Sequence, residues 1–345
     1  MSISSLEYFL LFISSYALVG ILTPLMRRIA ISKEILDRPD SNHKSHTSPT
    51  PYLGGVAVAI GVLIVTYSAL IMSGAGANNF WLATSLLGPA VAIGVIGLLD
   101  DIKNLHPLPR FIGQSISGVV VASLLIFTNN LGNPTGSTLL DVFITILWIV
   151  GICNSINFFD NVDGGAAGTT AISTIAICIL TLSNGQIFLA ALSLVVAGAT
   201  LGFLIWNKSP AKIYMGDAGA LFLGVLIATL AIRLNPETQT QLASFTTPIL
   251  LLAIPLLDTC VAVFSRIQRG ISPFKGGQDH LSHRLVRYGL SRKKVVISLW
   301  ALSALFGSLA VILTIVNKNL EVFIVIASSL LWLMLFIGFS RTAHQ

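Results

Sequence analysis

The stretch Asn154-Ser155-Ile156-Asn157-Phe158-Phe159-Asp160-Asn161-Val162-Asp163-Gly164-Gly165 sets amides and carboxylates at three-residue steps (Asn154, Asn157, Asp160, Asp163) and closes on a glycine pair. Apolar runs flank it, Leu139 to Ile156 and Ala166 to Leu182, each long enough to cross a bilayer. An unpaired amide or carboxylate is costly in lipid, so this ladder marks a watery pocket or a mouth at the membrane surface. Four residues at i, i+3 steps drift around half a helix and cannot share one stripe. The ladder is therefore expected to be a helix end that turns at Asp163-Gly164.

Composition agrees. Of the 345 residues, 54% are hydrophobic and 10% charged, with mean hydropathy +0.86. Soluble domains carry roughly a quarter charged residues, so the chain reads as an all-α integral membrane protein. Cys153, Cys178 and Cys260 fall in or beside apolar runs and read as small core residues. The segment Met1 to Ser5 has no Lys or Arg, so no cleavable signal peptide is expected there.

Apolar runs recur eleven times, near 6–25, 54–72, 81–99, 111–127, 139–156, 166–183, 187–205, 218–232, 246–264, 295–315 and 322–339. With the N-terminus outside, every Lys and Arg except Arg233 and Lys318 falls on the cytoplasmic side. Topology and anionic lipid thus account for the net charge of +6, with no nucleic acid required. The acids do not follow from topology. Asp100, Asp101, Asp160, Asp163, Asp217 and Asp279 gather at the cytoplasmic ends of spans, with Asp258 just inside one. No internal repeat or linker divides the chain, so 1–345 is read as one membrane domain of ten or eleven helices, with its site on the cytoplasmic face.

Each acid has two readings. Asp100-Asp101 ends the third span, where a helix C-terminus disfavours negative charge, so a basic group such as Lys103 or a divalent cation should compensate; Asp101 could equally cap the next segment. Asp217 stands before the eighth span, as an N-cap or a ligand, with Tyr214 nearby to stack on a base or sit in the interface belt. Asp258 comes after Pro255, which should kink the ninth span; it is functional or simply pairs with Arg266. The loop 265–294 combines Asp279-His280-Leu281-Ser282-His283-Arg284 with many basic residues and suits phosphate oxygens better than zinc. In the first loop, Lys44 and His46 can meet an anion before Pro49-Thr50-Pro51-Tyr52-Leu53-Gly54-Gly55 re-enters the membrane. Carboxylates suited to Mg²⁺, cationic donors and an aromatic on one membrane face are the equipment of phosphoryl transfer.

Five blocks (37–55, Gly97-Leu98-Leu99-Asp100-Asp101, Asn154 to Gly164, Pro210 to Gly219, and Asp279 to Leu285) together resemble the polyprenyl-phosphate N-acetylhexosamine-1-phosphate transferases. That resemblance implies a helical membrane bundle, often a homodimer, in the bacterial plasma membrane. It also implies attack by undecaprenyl phosphate on the β-phosphate of a UDP-N-acetylhexosamine, with N-acetylglucosamine the expected sugar, Mg²⁺ (or Mn²⁺) as cofactor, and UMP as product. By motif it gives Asp217, with Asp100 and Asp101, to the metal, and Asp100, Asp101, Asp160, Asp163, His280 and His283 to catalysis. Substrate contacts fall to Lys44, His46, Thr50, Lys103, Asn154, Asn157, Lys212, Tyr214 and Arg284. His43 and Asn161 depart from the family pattern, which often has Arg and Gly there. The alternatives are phospho-N-acetylmuramoyl-pentapeptide transfer and, further off, a secondary transporter, which would place its acids at mid-membrane on repeats. Because a phosphate monoester is largely dianionic at neutral pH, single displacement is expected over an aspartyl-phosphate intermediate.

Overall fold

The computed structural model describes residues 3–37, 49–103, 105, 107–128, 135–272 and 277–341. Lys44 and His46, like His43, lie outside them. The described residues form α1 (Ser5–Ser32), a two-residue ribbon of β1 (Leu36–Asp37) and β2 (Thr50–Pro51), α2 (Gly54–Met72), α3 (Ala77–Lys103), α4 (Pro107–Phe127), α5 (Thr138–Phe159), α6 (Gly165–Ser183), α7 (Ile187–Asn207), α8 (Gly216–Arg233), α9 (Gln241–Leu251), α10 (Ala253–Gln268), α11 (Leu281–Arg287), α12 (Arg292–Leu313) and α13 (Lys318–Arg341). Ten of these helices are each long and apolar enough to cross a membrane, and α9 with α10 makes an eleventh in two pieces.

Helix α8 is the axis of the bundle. Every residue from Ala218 to Ala231 is buried, the signature of a helix apolar on all sides and wrapped by others. α2, α3 and α5 pack directly on it. They approach closely because glycines meet at the crossings: a Cβ on Gly55 would stand 2.1 Å from the Gly219 Cα, and one on Gly97 would stand 2.4 Å from the Asp217 carbonyl oxygen. Such small-residue contacts are how helices associate where lipid removes the hydrophobic drive. α1 and α13 lie outermost, with Leu6, Phe9, Ile21, Phe323, Leu330 and Met334 exposed. In water those faces would aggregate; in a bilayer they are solvated.

The ninth span differs from the expectation of one helix kinked at Pro255. It breaks at Leu252, bending by 76° between α9 and α10. The proline acts one turn upstream: it has no N–H for the Leu251 carbonyl, and its ring crowds that oxygen. The freed carbonyl accepts instead from Ser173 Oγ at 2.6 Å, as irregular backbone inside a membrane protein requires. Cysteine placement also differs in one case, since Cys153 and Cys178 are buried but Cys260 is exposed.

Overpacking a tight core costs about 1–3 kcal/mol or more. Gly55→Val should therefore lower the melting temperature or the monodisperse yield on detergent size exclusion. Gly88→Val, at a position where an added Cβ would meet nothing within 4 Å, should leave both unchanged.

Candidate active site

The short connections at one end of the bundle bring the polar blocks together. The strip after β2 is zipped onto the segment before α8: Tyr214 N–H donates to the Pro51 carbonyl at 2.9 Å, Gly54 N–H to that of Tyr214 at 3.0 Å, and Gly55 N–H to that of Met215 at 2.8 Å. This sets the Tyr52 and Tyr214 rings 6.3 Å apart, tilted, and lets Thr50 hydrogen-bond the Tyr214 side chain. The ladder divides as its geometry demands. Asn154 and Asn157 remain on α5, Asp160 ends that helix, and Gly164 turns the chain with φ +77°. Asn207 Oδ1 accepts from Gly164 N–H at 2.9 Å, and Asp163 accepts from Ala211 N–H at 3.1 Å, so the α7–α8 connection holds this turn.

Asp217 is the second residue of α8 rather than its N-cap; Met215 occupies the cap and cannot serve as one. The cap comes from α3. Asp101 accepts from the N–H groups of Asp217 at 2.9 Å and Ala218 at 3.0 Å, satisfying donors that a helix start leaves open. An ordinary N-cap bond is worth about 0.5–2 kcal/mol. Beside this clamp, Asp217 accepts from Asn157 Nδ2 at 2.8 Å and from Arg110 of α4. Arg110 also pairs with Asp100 at 2.9 Å.

These elements wall a cavity of about 800 Å³. Its lining includes Asp37, Asn157, Asp160, Asp163, Asp217, Tyr52 and Tyr214, together with His280, Ser282, His283, Arg287 and Arg292. Ser282 ties α11 to the turn after α5 by donating to Asn161. Burial, and then the charges of Asp217, Asp101 and Asp163, push the Asp160 carboxyl well above its usual range. Burial and the neighbouring His280 push His283 down to about 4, so its ring is neutral at pH 7.

Several expected site residues lie elsewhere. Asn154 exchanges a hydrogen bond with Gln114 of α4, donating at 2.7 Å. Lys212 lays its ammonium 5.3 Å from the centre of the Trp206 ring. Lys103 is exposed at the end of α3. Arg284 is buried and donates to the carbonyls of Asp279 and Phe339, each at 2.8 Å. Asp258 does not pair with Arg266: it meets His280 Nδ1 at 2.7 Å, and Arg266 turns to Asp279 at 3.1 Å. Ser282, Arg287 and Arg292 were legible in the sequence only as members of the basic loop 265–294, whereas Arg110 and Asn207 were passed over. In a chain only 10% charged, an arginine nine residues beyond an aspartate pair was signal enough to single out Arg110.

Among the described residues, no three His, Cys, Asp or Glu side chains form a ready metal cage. Mg²⁺ does not need one; it is held by one or two carboxylates, substrate phosphates and water. Asp217 and Asp100 already share a single cationic group, and Asp163 stands close enough to raise the proton affinity of Asp160. That donor set fits a hard divalent cation.

The sequence pattern described as glycosyl transferase family 4 matches residues 83–235. The chain is 35% identical over 319 residues, 91% of its length and 87% of the relative's, to a probable undecaprenyl-phosphate N-acetylglucosaminyl 1-phosphate transferase of Bacillus subtilis. It is 32% identical to a decaprenyl-phosphate N-acetylglucosaminephosphotransferase of Mycobacterium leprae, over 86% of this chain and 79% of that one. A phospho-N-acetylmuramoyl-pentapeptide-transferase of Anoxybacillus flavithermus is 30% identical over 88% of this chain and 95% of its own.

The His283 shift carries a sign. Its folded value, about 4, lies below the ordinary 6.5, so its stabilising contribution is complete above pH 6.5 and is lost as pH falls toward 4. Between pH 7 and pH 5 the melting temperature of the wild type should fall more than that of His283→Asn.

Proposed function

The chain belongs to glycosyl transferase family 4, and from that premise we propose that it moves N-acetylglucosamine 1-phosphate from a UDP-sugar to undecaprenyl phosphate at the cytoplasmic face of a bacterial plasma membrane. One observation carries the reading: a single cavity lined at once by carboxylates, by histidine and arginine, and by a tyrosine pair. Its volume, about 800 Å³, is within the ~300–1,000 Å³ of small-molecule sites. Two relatives carry N-acetylglucosamine in their names at 35% and 32% identity, against 30% for the pentapeptide transferase.

In this reading a phosphate oxygen of the prenyl phosphate attacks the β-phosphorus of the donor. The bond from that phosphorus to the bridging oxygen breaks, and the electron pair leaves on UMP. Asp217, with Asp160 near enough to feel its charge, would hold Mg²⁺, which would supply neutralisation of the pyrophosphate and of the departing UMP charge. Arg287 and Arg292, which line the cavity, offer cationic donors to phosphate oxygens, a task that suits planar guanidinium groups. Tyr214 and Tyr52 present ring faces to the base. Asn157 and Arg110 fix the two oxygens of Asp217, so the carboxylate is oriented before anything binds. Asp100 and Asp217 share Arg110, and Asp101 is occupied by α8 N–H groups. Carboxylates so engaged are poor nucleophiles, which supports direct displacement over an aspartyl-phosphate.

Purified protein given UDP-N-acetylglucosamine, undecaprenyl phosphate and Mg²⁺ should release UMP, and EDTA should stop it. Asp217→Asn should cut the rate on the order of 10²-fold or more, the scale of losing one preorganised charge-stabilising group. UMP release that ignores the prenyl phosphate, or release from no member of a UDP-N-acetylhexosamine panel, would overturn the proposal. Radiolabelled phosphate trapped on the protein would overturn direct displacement alone.

A further inference from the structure

The α10–α11 region lies outside the matched residues 83–235 and holds a network that the chemistry above does not use. Asp258, fully buried on α10, meets His280 Nδ1 through Oδ2 and accepts from the N–H of Leu281 through Oδ1, both at 2.7 Å. Leu281 is the first residue of α11, and His280, in the cap position, makes no side-chain cap of its own. The carboxylate on α10 therefore does for α11 what Asp101 does for α8. On the other edge of the ring, Arg266 Nη2 lies 3.3 Å from His280 Nε2. A guanidinium can only donate, so Nε2 accepts and Nδ1 carries the proton toward Asp258. Arg266 and Arg269 in turn pair with Asp279. Both nitrogens of His280 are thus spent inside the protein, although its ring borders the cavity. Ser282, His283 and Arg287 come next on the same short helix and line the cavity.

We propose that Asp258, acting through His280 and the Leu281 N–H, is a positioning residue that sets α11 against the donor-binding cavity, and that His280 is its intermediary rather than an acid, a base or a phosphate ligand. The proposal rests on the donor reading above. The break at Leu252 belongs to it, because α10 turns away from the line of α9 and carries Asp258 to the foot of α11.

The alternatives are separable by side-chain geometry. Asn places an amide where the imidazole Nδ1 stands and can still donate to Asp258; Gln places its amide near Nε2 and cannot. Asp258→Asn keeps one acceptor for two donors. The full chain in nanodiscs, assayed by UMP release, gives KM for the UDP-sugar and for undecaprenyl phosphate separately. Asp258→Asn and His280→Gln should each raise the donor KM about tenfold or more, with the lipid KM within about twofold of wild type. His280→Asn should lie at least about fivefold nearer wild type in donor KM than His280→Gln. The Asp258→Asn/His280→Gln double variant should be little worse than either single, since both remove one contact. Wild-type constants in Asp258→Asn would overturn the proposal, as would His280→Asn being as impaired as His280→Gln, or an equal rise in both KM values. Should Asp258→Asn fail to fold, the His280→Asn and His280→Gln pair decides alone. A wild type that releases no UMP would instead sink the donor reading.

Discussion

A helix that starts inside a membrane protein has N–H groups with no water to satisfy them, and the bond between Asp101 and the start of α8 is the solution on which this molecule turns. Two oxygens on α3 take two N–H groups of α8. The approach this demands is possible because Gly97 and Gly216 leave room: a Cβ on Gly216 would stand 2.6 Å from Asp101 Oδ2, and its φ of +72° is one that glycine adopts at no cost. The clamp fixes the height and rotation of α8, and with them the direction of Asp217. Everything acidic in the cavity is then measured from that carboxylate: Asn157 and Arg110 bond it directly, and Asp160 feels its charge.

An excess of carboxylates in one place is destabilising unless something positive joins them, and the protein supplies only part of the remedy. Arg110 serves Asp100 and Asp217 together. Among the described residues, Asp163 accepts from one backbone N–H, and Asp160 lies near the charges of Asp217, Asp101 and Asp163. Arg287 and Arg292 line the same cavity. A cavity lined by carboxylates and by arginines favours a ligand that carries both its own cation and its own anions. A metal-bound nucleotide diphosphate meets both requirements at once, whereas a neutral solute meets neither.

The spans could be read from the sequence because hydropathy and length are local properties, and the ladder could be read because amides and carboxylates between apolar runs must have a reason. The helix end at Phe159 and the turn at Gly164 come from the same local chemistry. The features that could not be read depend on partners distant in sequence. Nothing near Asn154 says that Gln114 will meet it, nothing near Lys212 separates a phosphate from the face of Trp206, and nothing near Asp258 chooses His280 over Arg266. The position of the ninth-span break was misjudged for a smaller reason. A proline disturbs the carbonyl four residues before it, so the bend appears beside Leu251 and not at Pro255 itself.

The acids of this chain therefore fall into two kinds, and their hydrogen bonds sort them better than their spacing does. Asp101, Asp258 and Asp279 are surrounded by donors from the protein: backbone N–H groups, a histidine and two arginines. Asp160, Asp163 and Asp217 keep faces turned to the cavity. A carboxylate in the first group loses donors if it leaves them for a ligand, so its free energy is committed to holding helices in place. One in the second group gains by meeting a cation. Chemistry at the membrane surface is thus assigned to the acids that face the cavity, Asp217 among them although Asn157 and Arg110 bond its two oxygens, and geometry to those enclosed by the protein's own donors.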